Sequence, residues 1–150
     1  GGGGGGDSGN GTNGTGGNGT GGNNTRMHDV KIDTSYSNSV NGIRIKSEET
    51  GLFDINETAT LICNKKYKID FKTVNEGNFI EDINFSGKLS SFNWTARKTN
   101  LEPGISTTTG SKTINITFAP GNYDLEIKAT LVVDNDMSDN MRTRKVKVVC

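Results

Sequence analysis

Between Tyr123 and Leu131 every second side chain is apolar: Tyr123, Leu125, Ile127, Ala129 and Leu131 alternate with Asp124, Glu126, Lys128 and Thr130. A period of two fits only an extended strand with one dry face and one wet face. The same rhythm recurs along the chain. It joins Val30 to Ile32, runs through Tyr67, Ile69, Phe71 and Thr73, and then through Ile83, Phe85 and Leu89. Further runs are Phe92, Trp94 and Ala96, then Ile114, Ile116 and Phe118, and last Val146, Val148 and Cys150. Composition agrees, with 20 Ile plus Val and 18 Thr against 13 Ala, Leu and Met together. Branched Cβ atoms lose rotamer freedom in a helix and fit a pleated surface. No stretch of a dozen residues keeps a helical apolar stripe. Seven strands of this kind predict an all-β domain of two antiparallel sheets packed face to face. Asn75-Glu-Gly77, Glu102-Pro-Gly104, Pro120-Gly-Asn122 and the polar run 134–140 supply its turns. Residues 37–62 read as a long loop or as a short extra strand through Ile43 and Ile45.

Residues 1–26 are of another kind. They hold 14 of the 21 glycines and none of the apolar residues, so nothing offsets the entropy of ordering them. The chain therefore divides into a low-complexity Gly/Asn/Thr segment, 1–26, and a sandwich domain, 27–150. The segment reads as a flexible stalk, or as a strip held by neighbouring subunits of an assembly.

Several functions are disfavoured by what is missing. Lys plus Arg and Asp plus Glu number 17 each, so no basic excess is there to neutralise a nucleic-acid backbone. No apolar run is long enough for a transmembrane helix, and with no charged stretch followed by an apolar one, any secretory signal is expected to have been removed already. One histidine and two cysteines are too few for a zinc site, and no cofactor is expected. Asp134, Asp136 and Asp139 offer hard oxygens of the kind calcium takes. The glycine and glutamate that an EF-hand loop needs are replaced by Asp139 and Lys145, and the run reads as a polar turn. His28 reads as a solvated boundary residue. No spacing singles out a nucleophile with its base or a convergent carboxylate pair, so an enzyme is not expected. Phe53, Phe79 and Trp94 would form a sugar platform if they faced outward, although a single Trp in a sandwich usually belongs to the core.

Two features point outside the cell. In a sandwich whose last strand runs parallel to its first, Cys63 and Cys150 come near enough for a disulfide. The alternatives are two thiols or a bond from Cys150 to another chain. Asn-x-Ser/Thr acceptors for N-glycans stand at Asn10, Asn13, Asn18, Asn23, Asn56, Asn84, Asn93 and Asn115. Three of them, Asn84, Asn93 and Asn115, fall in the wet phase of a strand, where a glycan does not enter the core.

Asp29-Val30, the run Phe71-Lys-Thr-Val-Asn-Glu-Gly77, Leu101-Glu-Pro-Gly104, Phe118-Ala-Pro-Gly-Asn-Tyr123 with Leu125-Glu-Ile127, and Val133-Asp-Asn-Asp with Ser138-Asp-Asn140 together resemble the CARDB family. These are cell-adhesion-related, immunoglobulin-like domains of bacterial and archaeal surfaces. The resemblance spans about 120 residues and implies a structural or adhesive module with no catalytic residues. The long 37–62 segment and the cysteines depart from it. The expectation is an extracellular subunit that assembles with copies of itself into a filament or pilus-like fibre and carries covalent N-glycans. The competing expectation is a monomeric adhesion or glycan-binding module on a stalk.

Overall fold

The computed structural model describes residues 27–131 and 140–150. Eleven strands are found among them: β1 (Val30–Ile32), β2 (Ile43–Ser47), β3 (Thr58–Ile62), β4 (Lys66–Phe71), β5 (Thr73–Asn75), β6 (Glu81–Leu89), β7 (Phe92–Leu101), β8 (Ser106–Thr107), β9 (Lys112–Asn115), β10 (Gly121–Thr130) and β11 (Met141–Val149). They form two layers, and the fold is the all-β sandwich expected from the alternation.

One layer is a five-stranded sheet in the order β3-β11-β10-β6-β7. The other consists of β9-β4-β2 and β8-β5-β1. These two halves are one three-strand-wide layer broken at Lys72, because β4 and β5 follow each other directly and Tyr67, Ile69, Phe71, Thr73 and Asn75 all stay buried. The inner faces meet in a core that includes Ile32, Ile43, Ile69, Phe71, Ile83, Phe85, Leu125, Ile127 and Val148. The cleanest expression of the period-two pattern is β6, which alternates buried and exposed over nine residues.

The structure departs from the expected sandwich in several places. Pairing is antiparallel except between β11 and β3, where Lys145–Val149 runs parallel to Thr58–Ile62. The strand beside the last one is thus β3, not the strand at Val30. The segment 37–62 is neither a plain loop nor one short strand. It supplies β2, whose Ile43 and Ile45 face the core, and β3, whose Ala59 and Leu61 do. The run at Ile114 also ends early: β9 stops at Asn115, and Ile116 bonds instead to the backbone of Asn64 and Lys65.

Candidate functional site

The described chain enters at one end of the sandwich and leaves at the other. At the entering end, Met27 and Asp29 are tied to the turn after β5. The Asn78 amide donates to the Met27 carbonyl at 3.0 Å, and the Glu76 and Gly77 amides donate to that of Asp29 at 3.0 and 3.1 Å. Asn75 organises this turn. Its Oδ1 accepts the Gly77 amide at 2.9 Å, and its Nδ2 donates to the carbonyls of Phe79 at 2.7 Å and Leu101 at 2.9 Å. Asn75 is wholly buried, and its amide is satisfied on both sides. Gly77 is required here: a Cβ would lie 2.5 Å from the Met27 carbonyl oxygen and 2.9 Å from the Asp29 nitrogen. His28 is not the solvated residue expected. Its ring stacks on Phe79 at 4.0 Å between centroids and 8° between planes, and its Nδ1 lies 2.6 Å from the carboxylate of Glu81, a buried residue.

At the far end, Cys63 and Cys150 form a disulfide with their Cα atoms 4.9 Å apart. The parallel pairing of β3 with β11 makes this contact, since Val149 stands beside Ile62 and each cysteine is the next residue. The Cys63 amide continues the ladder to the Val149 carbonyl at 2.8 Å.

Four glycan acceptors lie among the described residues, Asn56, Asn84, Asn93 and Asn115, and all four are exposed. Asn84 on β6 and Asn93 on β7 share the outer face of the five-stranded sheet, while Asn115 faces out from the other layer beside Lys66. Asn84 also borders an open depression of about 440 Å³ together with Ser86, Thr95, Arg97 and Thr130. Asn10, Asn13, Asn18 and Asn23, and the weak calcium candidates Asp134, Asp136 and Asp139, lie outside the described residues. Among the described residues no group of three or more His, Cys, Asp or Glu is placed to hold a metal. No helix among them is long and apolar enough to cross a membrane.

The aromatic platform does not form. Trp94 is a core residue, 8% exposed, and its Nε1 donates to the Gly110 carbonyl at 2.9 Å. Phe53 faces the other layer's outer surface, where the Arg44 guanidinium lies 4.8 Å from its ring centroid and 4.2 Å from that of Tyr36. Arg44 is fixed between them by two bonds of 2.7 Å to the Asp70 carboxylate, a bidentate pair.

The edges of the five-stranded sheet are guarded. On β3 the outward amides of Thr60 and Ile62 are taken by the Asp54 Oδ2 and the Tyr67 hydroxyl, each at 3.0 Å. On β7 the adjacent Arg97 and Lys98 place charge on the edge, which discourages strand addition.

No family model and no curated protein matches this sequence. Solved structures do match. The CARDB domain of the PF1109 protein from Pyrococcus furiosus, solved in complex with di-metal ions, is 17% identical, with a TM-score of 0.53 over 82% of this chain and 90% of that one. A Niemann-Pick type C2 protein from Japanese carpenter ant is 8% identical, with a TM-score of 0.51 over 82% and 95%. The C-terminal domain of wzt is 15% identical, with a TM-score of 0.54 over 84% and 77%. Such identities speak for architecture only. This chain has the immunoglobulin-like sandwich of the CARDB domain, the fold that its own motifs suggested.

Proposed function

We propose that this chain is a non-enzymatic, extracellular structural subunit that assembles with copies of itself into a filament, with residues 1–26 contacting the neighbouring subunit. The observation that carries this reading is the polarity of the domain. Met27 is tied in at one end and Cys150 is locked at the other, so segment 1–26 departs from the end opposite the disulfide. A contact between the two ends of successive copies is heterologous, and it propagates into an open filament unless a ring closes. The blunted edges of β3 and β7 support contact at the ends over sheet-to-sheet growth. The glycines, 14 of its 26 residues, suit segment 1–26 to this role, since a position without a side chain lets the backbone come close to a partner's.

A location outside the cell is supported by the disulfide, which persists in oxidising compartments, and by the four exposed acceptor asparagines. Covalent N-glycans on Asn84 and Asn93 would clothe one broad face and leave the ends free.

The full chain, purified with its disulfide intact, should form filaments or large oligomers visible by electron microscopy and sedimentation. The same chain lacking residues 1–26 should stay monomeric with an unchanged melting temperature. Filaments that persist after the deletion, or a full chain that remains monomeric at high concentration, defeat the proposal. The second outcome favours the stalked adhesion module instead.

A further inference from the structure

The outer face of the β9-β4-β2 layer carries a row of cations, and the fold pairs only some of them. Strand alternation puts Lys66, Lys68, Asp70 and Lys72 on that face, with Arg44 and Lys46 beside them on β2. Lys46 stands directly opposite Lys68 in the antiparallel register. Like charges in that position repel across a Cβ separation of about 5 Å and weaken the sheet. Arg44 is neutralised by Asp70 at 2.7 Å and Lys72 by Asp33 at 3.4 Å. Lys46, Lys66 and Lys68 make no ion pair among the described residues, which leaves three adjacent positive charges. Glu48 borders Lys66, where its amide bonds the Lys66 carbonyl at 3.0 Å, and it is the remaining acid along this row. The chain as a whole carries no net charge, so this concentration is local.

We propose that this face binds an anionic polysaccharide, with Lys46, Lys66 and Lys68 contacting carboxylates of uronic-acid units. Side chains two apart on a strand are spaced by about 7 Å, so Lys66 and Lys68 present their charges in line along β4, and Lys46 widens the row. Such an array suits a linear polyanion lying along the strand. Nucleic acid fits less well. The face is a flat sheet with no element shaped to enter a groove, and the two nearby rings, Tyr36 and Phe53, already stack on Arg44 instead of standing free for bases. This binding does not depend on filament formation. It uses the side of the domain, not its ends, and a glycan on Asn115, the cross-strand partner of Lys66, would flank the row at that residue.

The test uses the full chain and three probes: polygalacturonate, neutral dextran of similar length and a double-stranded DNA oligonucleotide. Binding is followed by titration at two or more salt concentrations. The expected result is binding to polygalacturonate that weakens steeply with salt, and none to dextran. A K46Q/K68Q variant should bind about tenfold or more weakly, with a log–log salt slope reduced by between about one and two. The same variant should melt slightly higher than the parent, because the facing lysines are gone. A K145Q/K147Q variant on the other sheet should bind as the parent does. Absence of polygalacturonate binding, equal loss in both variants, equal affinity for dextran, or tighter binding to DNA each overturns the proposal.

Discussion

The guanidinium of Arg144, wholly buried on β11, donates across the sandwich to the carbonyl oxygen of Ile43 on β2 at 3.0 Å. It also donates to the carbonyls of Asp54 at 2.6 Å and Asn56 at 2.9 Å, and the Asp54 carboxylate lies 3.6 Å away. Burial lowers the affinity of this arginine for its proton, and the Asp54 charge opposes that effect. The cation thus staples the last strand to β2 and to the loop that leads into β3. Buried ion pairs are often replaceable by apolar residues, but three of these acceptors are backbone carbonyls that no substitution removes. Arg144→Met should therefore cost about 3–5 kcal/mol, since it strands buried acceptors. Arg144→Lys should cost less. Urea unfolding measures both, and a methionine variant as stable as the parent would show that the staple is dispensable.

What could be read from the residues follows which strands have a wet face. β6 and β10 are covered on one side only, so their alternation is complete, and Asn84, Asn93 and Asn115 point outward as their phase required. β3 escaped because its two inward residues include the small Ala59, and its outward Ile62 breaks the apolar–polar rhythm. Arg144 continues the inward phase of Val146 and Val148, yet an arginine in a sequence reads as solvent-facing. Only the loop carbonyls that fold over it explain its position. The alternation predicts the Cys63–Cys150 pairing but places the wrong strand beside β11. The parallel partner of β11 is β3, and its register, with Val149 beside Ile62, brings the cysteines together. His28 gave no signal, because its partners Phe79 and Glu81 are more than 50 residues away in sequence.

Trp94 packs flat over Gly87, its partner across the β6–β7 hairpin. A Cβ at residue 87 would lie 2.2 Å from the indole Cζ2, so Gly87→Ala must displace the ring and break its bond to the Gly110 carbonyl. Overpacking of this kind costs about 1–3 kcal/mol. The chain has one tryptophan, so the displacement has a clean readout. Emission from Gly87→Ala should shift to the red as the indole gains water. An unshifted spectrum with parental stability would mean that the sheet yields instead of the ring.

Asp33 makes the loop that holds Tyr36 over Arg44 sensitive to acid. Its carboxylate accepts the Ser35 hydroxyl at 2.6 Å and the Ser35 amide at 2.9 Å. These bonds hold its pKa below the ordinary 3.8, with Lys72 adding to the effect and burial opposing it. Because the folded value is the lower one, the stabilisation is complete above 3.8 and is lost as the pH falls through the folded value. Carbon-detected NMR titration should find the Asp33 midpoint below 3.8. In Ser35→Ala, which removes the largest cause, it should move back towards that value. An unmoved midpoint would assign the depression to the Ser35 amide and Lys72.

The disulfide ties β3, the edge strand of its sheet, to β11 across a sequence separation of 87 residues. A loop of that size is worth about 4–5 kcal/mol in the chain-entropy model, a large share of the stability of a domain this small. The parallel ladder of β3 on β11 is short, and its outer side rests on two side-chain bonds, from Tyr67 and Asp54. Once the bond is cut, β3 has the least to hold it. Cys63→Ala/Cys150→Ala should therefore unfold at a markedly lower urea concentration than the oxidised parent. Hydrogen exchange should quicken first at Thr58–Ile62, while β6 and β10 stay protected up to global unfolding. If exchange instead rose uniformly in all strands, the bond would act only on the unfolded chain, with no local role in pinning the edge.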